Sequence, residues 1–224
     1  MAVAVEATSG GSAVNNATVT VTGFTVTSAN LMLVAISVGD DFPIGADATS
    51  VTWNTTGTLT QVGSSSADDA NWSSVTWYRL DSPAAATANV VVSLAGFTPD
   101  QIAVHVVTFT GYSSLGTPNT NVGNTADPSV VVADSASGDI VVAVMCTDGS
   151  GVATTEANTL IFEVEDLGSD TDHNSQYKTA TGASTSMSWT NSISGGANFW
   201  AASSFAVKGA GGGGVNNALA WITA

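Results

Sequence analysis

Hydrophobic and polar positions alternate along most of this chain with a period of two. Thr18-Val-Thr-Val-Thr22 sends every second side chain to one face, as a half-buried strand requires. Residues 51–53, 58–62, 75–80, 88–94, 102–109, 130–132, 160–164, 185–189 and 198–207 are further short runs rich in branched and aromatic side chains, separated by Gly, Ser, Asn, Asp and Pro. Residues 31–38 differ: Leu-Met-Leu-Val-Ala-Ile-Ser-Val is nearly continuous in apolar character, which predicts a central strand covered on both faces. Residues 140–145 form a further run of this kind, leading to Cys146. No stretch carries a helical period. The pattern predicts an all-β protein of about a dozen strands, built as a sandwich or barrel, because only closure or a second sheet covers so many half-apolar faces.

The flanks read differently. Residues 1–16 are small and polar, with Gly10-Gly11-Ser12 and Asn15-Asn16, and predict an N-terminal arm ahead of a sandwich domain at 17–208. From Gly209 a glycine run forms a flexible linker, followed by a tail to Ala224 in which Leu219, Trp221 and Ile222 are the candidate docking residues. Residues 64–71, 111–128, 147–158 and 166–176 read as polar loops. Val14-Asn-Asn-Ala17 recurs at 215–218, but four residues do not establish a repeat.

Charge narrows the roles. Three basic residues against eighteen acidic ones give a net charge of −15. Too few cations are present to neutralise a run of phosphates or to hold an anionic membrane. With 44% hydrophobic residues the chain can build a real core. The single cysteine, Cys146, excludes an internal disulfide and fits a buried strand position. Neither a basic n-region nor a long apolar h-region opens the chain, so the expectation is synthesis in a host cytoplasm without a signal peptide.

Candidate chemistry is sparse, and no catalytic residue is assigned. His105 lies in an apolar strand and reads as a packed, hydrogen-bonded histidine; His173 sits in Asp170-Thr-Asp-His-Asn174, read as a solvated loop. Glu163 and Glu165 share a strand face, the arrangement of an exposed acidic edge more than of a glycosidase pair. The candidate metal site is calcium at Asp166, Asp170 and Asp172, since that ion takes six to eight oxygen ligands. Trp72, in a polar loop, is the candidate glycan-stacking residue, while Trp53, Trp77, Trp189 and Trp200 belong to strands and to the core.

Several segments, in order, resemble the jelly-roll (concanavalin-like) β-sandwich domains of bacteriophage virion and bacterial surface proteins. The resemblance rests on residues 30–38, Val51-Thr-Trp-Asn54, Trp77-Tyr-Arg-Leu-Asp-Ser-Pro83, 106–111 with Leu115-Gly-Thr-Pro118, Gly138-Asp-Ile-Val-Val142, Ser186-Met-Ser-Trp189 and Phe205-Ala-Val-Lys208. It implies a jelly-roll sandwich of two antiparallel sheets with extended N- and C-terminal arms. It also implies a non-catalytic structural role: a capsid decoration (cement) protein on the virion exterior, partnered by the major capsid protein and by itself as a homotrimer. The alternative expectation is a carbohydrate-binding or adhesive module of a tail fibre or cell surface, with a glycan as partner.

Overall fold

The structure, a computed structural model, describes residues 1–39, 48–68, 73–94, 96–124, 127–148, 154–156, 158–164, 171–191 and 199–210. These residues form nineteen strands and no helix. The first half contains β1 (Ala4–Val14), β2 (Thr18–Val26), β3 (Leu31–Gly39), β4 (Ala48–Trp53), β5 (Gly57–Thr58), β6 (Thr60–Gln61), β7 (Ala67–Asp68), β8 (Ser73–Asp81), β9 (Ala86–Leu94) and β10 (Gln101–Thr110). The second half contains β11 (Tyr112–Leu115), β12 (Asn119–Gly123), β13 (Ser129–Val132), β14 (Ile140–Asp148), β15 (Thr154–Glu156), β16 (Thr159–Val164), β17 (Thr171–Thr179), β18 (Thr185–Asn191) and β19 (Phe199–Gly209). Every pairing between them is antiparallel.

The chain is a β-sandwich protein whose described residues form four sheets, not two. In the first half an inner sheet of order β1-β10-β3-β8-β6, with β7 also on β8, faces an outer sheet of order β2-β9-β4-β5. In the second half an inner sheet of order β11-β19-β14-β17-β16, with β12 also on β19, faces an outer sheet β13-β18-β15. Three apolar cores separate the four layers. Val19, Val21, Val51, Val90 and Val92 of the first outer sheet meet Met32, Val34, Ile36 and Val104. Leu31, Leu33, Trp77 and Phe109 on the other face of that inner sheet meet Val142, Val144, Phe205 and Val207 of the second half. Val141, Ala143 and Met145 then meet Val130, Val132, Met187 and Trp189.

The hydrophobic pattern follows from these layers. β2 belongs to an outer sheet and alternates exposed Thr with buried Val. β3 and β10 belong to an inner sheet covered on both sides, and every residue of β3 is buried. The continuous apolar run therefore marks a strand between two cores. All four strand tryptophans are buried: Trp53 in the first core, Trp77 in the central one, Trp189 and Trp200 in the third.

The two halves repeat one topology. In each, the central inner strand has nine residues, β3 and β14. Leu31 is paired with Phe109 on one side and Asp81 on the other. Ile140 is paired in the same way with Val207 and Thr179. Phe109 and Val207 each stand two residues before a glycine, Gly111 and Gly209. The first strand of each half covers the same neighbour, β1 on β10 and the broken strand β11/β12 on β19.

Three boundaries differ from the sequence expectation. Residues 1–16 are not an arm, because β1 pairs with β10 along its length from Ala4↔Thr110 to Val14↔Gln101. Its glycines mark close approach, not looseness. A Cβ on Gly10 would lie 2.1 Å from the Phe162 ring. Residues 111–128 include β11 and β12, and much of 166–176 is β17. Domain 17–208 is thus two packed sandwich halves, joined where Gly111 adopts φ 70° between β10 and β11. The 209–224 segment is described only through Ala210, whose carbonyl accepts from the Met1 nitrogen at 2.6 Å.

Candidate functional site

The strongest concentration of chemistry lies at the seam where the inner sheets meet. β10 has inward alternation that sends Gln101 and His105 toward the second half, and β3 sends Ser37 the same way. β17 returns Thr171, His173 and Ser175, spaced two apart so that they share a face. Ser37 Oγ lies 2.9 Å from His105 Nε2 and 2.8 Å from His173 Nδ1. His173 Nε2 is 3.0 Å from Gln101 Oε1, which also accepts from the Thr171 hydroxyl. Ser175 Oγ lies 2.8 Å from His105 Nδ1 and 3.3 Å from the Phe162 carbonyl. Both halves contribute members: Ser37, Gln101 and His105 come from the first, and Thr171, His173 and Ser175 from the second.

The carbonyl at one end sets the direction of the chain. Gln101 Oε1 only accepts, so His173 carries its proton on Nε2 and accepts at Nδ1. The Ser37 hydroxyl therefore donates to His173 and accepts from His105 Nε2–H. His105 Nδ1 is then an acceptor, served by the Ser175 hydroxyl. Both imidazoles are neutral in this arrangement.

Burial explains why. Ser37, Gln101, His105, His173 and Ser175 have 0% exposure and Thr171 has 2%. Burial holds His105 down to about 3, against a smaller opposing effect of the Phe162 carbonyl. Burial also holds His173 down to about 3, reinforced by repulsion from His105. Phe162 stacks edge-on against His105 at 5.5 Å. The Cys146 thiol, cross-strand from His173, donates to the Val38 carbonyl at 3.3 Å. A serine between two imidazoles has the elements of a nucleophile–base pair. None of these atoms has a surface that a substrate could reach in this conformation.

A shallower feature occupies the outer face of the first half. A hollow of about 340 Å³ is lined by Thr52, Asn54, Thr55, Thr87 and Asn89, with Val91 beneath. Asn54 and Thr55 form the β4–β5 hairpin tip with φ of 49° and 58°, the left-handed region that branched Thr rarely enters. Asn89 is exposed, and its Oδ1 accepts from the Gly23 amide at 3.1 Å. β2, β4, β5 and β9 contain no charged residue.

Comparison with family models, curated proteins and solved structures gives no significant match for this chain. Its chemistry is therefore read from its own residues.

Trp72, Asp166 and Asp170 lie outside the described residues, as do Leu219, Trp221 and Ile222. Asp172 is placed: it is 2% exposed on β17, and strand alternation turns it away from the face that carries His173. No cluster of three or more metal-ligating side chains occurs among the described residues. Glu163 accepts from Asn174 Nδ2 at 3.1 Å, and Asn174 Oδ1 in turn holds the Trp189 indole at 2.7 Å. His105 is a packed, hydrogen-bonded strand residue, as its apolar neighbours implied. His173 is not in a solvated loop. Its run is polar throughout, so no alternation of apolar and polar positions marks it as a strand in the sequence.

Proposed function

We propose that this protein is a non-catalytic structural component that works through its outer surfaces and its tail, most specifically as a decoration protein on a virion capsid exterior. The observation that carries this reading is the filled seam. Proteins built from two units often bind ligands in the crevice between them. Here that crevice is occupied by Trp77, Phe205 and the His105–Ser37–His173 chain, which weld two sandwiches into one stiff block. The interleaved orders β1-β10-β3-β8 and β2-β9-β4-β5 support a jelly-roll winding of the kind the resemblance implies. The described residues end at Ala210, beside Met1, and the sequence continues through a glycine run to Leu219, Trp221 and Ile222. Such a tether adds contacts at high effective concentration when several copies sit on one surface. The proposed partners are further copies of this chain, as a trimer, and a capsid protein.

The test compares the full chain with residues 1–210 by sedimentation velocity. The full chain is expected to sediment as an oligomer and the truncated one as a smaller species with unchanged β circular dichroism. A full chain that remains monomeric at micromolar concentration, both alone and with native particles, overturns the reading.

A second reading, a glycan-binding module, is favoured by the uncharged hollow. The Asn89 amide and the hydroxyls of Thr52, Thr55 and Thr87 offer donors and acceptors suited to a neutral sugar. Titration with neutral oligosaccharides should then shift the Asn89 side-chain NMR signals, and Asn89→Ala should remove the response. Unmoved Asn89 signals across glucan and chitin oligomers would exclude this hollow.

A further inference from the structure

We propose that the outer face of the first half binds an extended, uncharged β-1,4-linked polysaccharide, which lies along β9 and does not stop at the hollow. This rests on the glycan-binding reading of that hollow and names its ligand class. Strand register carries the argument. Thr18 and Ser50 both lie opposite Ser93, and Thr20 and Thr52 both lie opposite Val91. Asn89 Oδ1 accepts from the Gly23 amide, and the Asn89 carbonyl accepts from Asn54 N at 3.2 Å. Thr25 lies opposite Thr87. The side chains of three strands thus form rows across the sheet. Opposite members stand roughly 5 Å apart, and successive rows about 6.5 Å apart. From Ser93 to Thr87 the rows run for about 20 Å along β9. The hollow at Thr52, Asn54, Thr87 and Asn89 takes up one end of them.

The chemistry of the rows selects the ligand. Apart from Val91 and Gly23 they hold only hydroxyl and amide side chains. No charged or aromatic side chain stands among them, since Phe24 and Trp53 point into the core and pack edge-on at 6.0 Å. A neutral polyol meets donors and acceptors here, whereas an anionic polymer meets a chain of net charge −15. With no ring to stack on, each sugar is held weakly, and affinity accumulates over several sugars. A chain that stays in one line presents hydroxyl groups to row after row. A β-1,4 linkage gives such a straight ribbon, while an α-1,4 linkage coils away from a sheet.

The rows are held in place before a ligand arrives. Val19, Val21, Val51, Trp53, Val90 and Val92, on the inner face of the same strands, are at most 3% exposed. Threonine is stiff about χ1, so little freedom is lost on binding. The Thr25 and Thr87 hydroxyls lie 2.8 Å apart, and those of Thr18 and Ser93 3.4 Å apart. Each pair uses one donor and leaves the other for a ligand. The corresponding face of the second half is shorter. β13 has four residues, Val131 is exposed beside Ser186, and Lys178 donates to the Ser186 carbonyl.

The experiment titrates the full chain with cellulose and chitin oligomers of two and six sugars and with maltohexaose, by calorimetry and by NMR of the Asn side-chain and Thr methyl signals. In at least one β-1,4 series the six-sugar oligomer is expected to bind about tenfold tighter than the two-sugar one, the gain of one or two net hydrogen bonds. It should shift Asn89 and Thr20 together. T18V/T20V, at two exposed positions, should bring the six-sugar oligomer to the affinity of the two-sugar one and leave the latter unchanged. Equal affinity for both lengths, with shifts confined to the hollow, overturns the extended-chain proposal while the glycan-binding reading stands. Maltohexaose binding as tightly as the β-1,4 hexamers overturns the proposal in the same way. Asn89 signals that no oligomer moves overturn the glycan-binding reading, and the proposal with it.

Discussion

The first outer core and the seam are both contacts between two sheets, yet they are built from different materials. The outer core of the first half is held by Val, Ile and Leu side chains and by one edge-on aromatic pair, Phe24 against Trp53 at 6.0 Å. The seam has its own aromatic pair, Trp77 against Phe205 at 5.4 Å, and adds six hydrogen-bonded polar side chains that are almost entirely buried. Apolar burial is strong but has no direction, so it tolerates small shifts of one sheet over another. A directional chain with an acceptor at one end tolerates none, because each shift leaves a buried donor unpaired. The outer core therefore supplies stability alone, whereas the seam supplies stability and a single alignment of the two halves.

Acid gives the largest separation between the two. The histidine value in the folded seam lies far below the ordinary 6.5, so between 6.5 and about 3 the unfolded chain binds protons that the folded chain does not. Stability from this source is fully present above 6.5 and declines as pH falls, by up to about 1.4 kcal/mol per pH unit for each histidine. Urea unfolding at pH 7, 6, 5 and 4 should show this decline in the unaltered chain and a shallower one in H105Q/H173Q. Equal slopes would place the acid sensitivity in the carboxylates.

Next come the aromatic anchors. Trp53→Ala and Trp77→Ala should each cost about 3–5 kcal/mol, measured by urea midpoint, since each empties a fully packed site. A much smaller loss at Trp77 would mean that the seam leans on its polar chain more than on packing.

Ser37→Ala should cost about 1–3 kcal/mol, because it strands His105 Nε2–H and His173 Nδ1 together. Thr25→Ala, at an exposed hydroxyl pair with Thr87 on the outer face, is expected to fall within about 0.5 kcal/mol of the parent. If the two substitutions cost the same, the seam hydrogen bonds carry no special weight.

The glycines give the finest comparison. Gly10→Ala drives a methyl group into the Phe162 ring at the seam and should cost about 1–3 kcal/mol. Gly23→Ala meets nothing within 4 Å and costs only what its φ of 64° imposes, about 1 kcal/mol. Thermal midpoints of the two variants measure the difference between crowding and backbone strain.

Much of the fold is legible in the order of the residues. The alternation in β2 and the unbroken apolar run of β3 announce an outer and an inner strand, because one- and two-sided burial leave different periods. The strand setting of Trp53, Trp77, Trp189 and Trp200 places them in the core. β1 is hard to read because its glycines, which suggest an arm, are present so that Phe162 can lie against the backbone. His173 is hard to read because polar residues at a buried interface look the same in sequence as polar residues in water. The repeat of topology is hidden as well, since Val, Ile, Leu and Phe substitute freely on a covered strand and leave few shared letters between halves beyond Gly111 and Gly209.

The sequence by itself determined the class of structure and its charge. It specified antiparallel β strands, loops that carry most of the acidic residues, and too few cations for nucleic acid, since each of these depends only on local composition and period. The tertiary structure alone decided that there are four sheets, that the halves share one strand order, and that Ser37, Gln101, His105, Thr171, His173 and Ser175 meet in a sealed chain. The physical reason is range. A strand's period records whether each face is covered, but not by which distant strand, and His105 and His173 become partners only when two separate sheets are stacked.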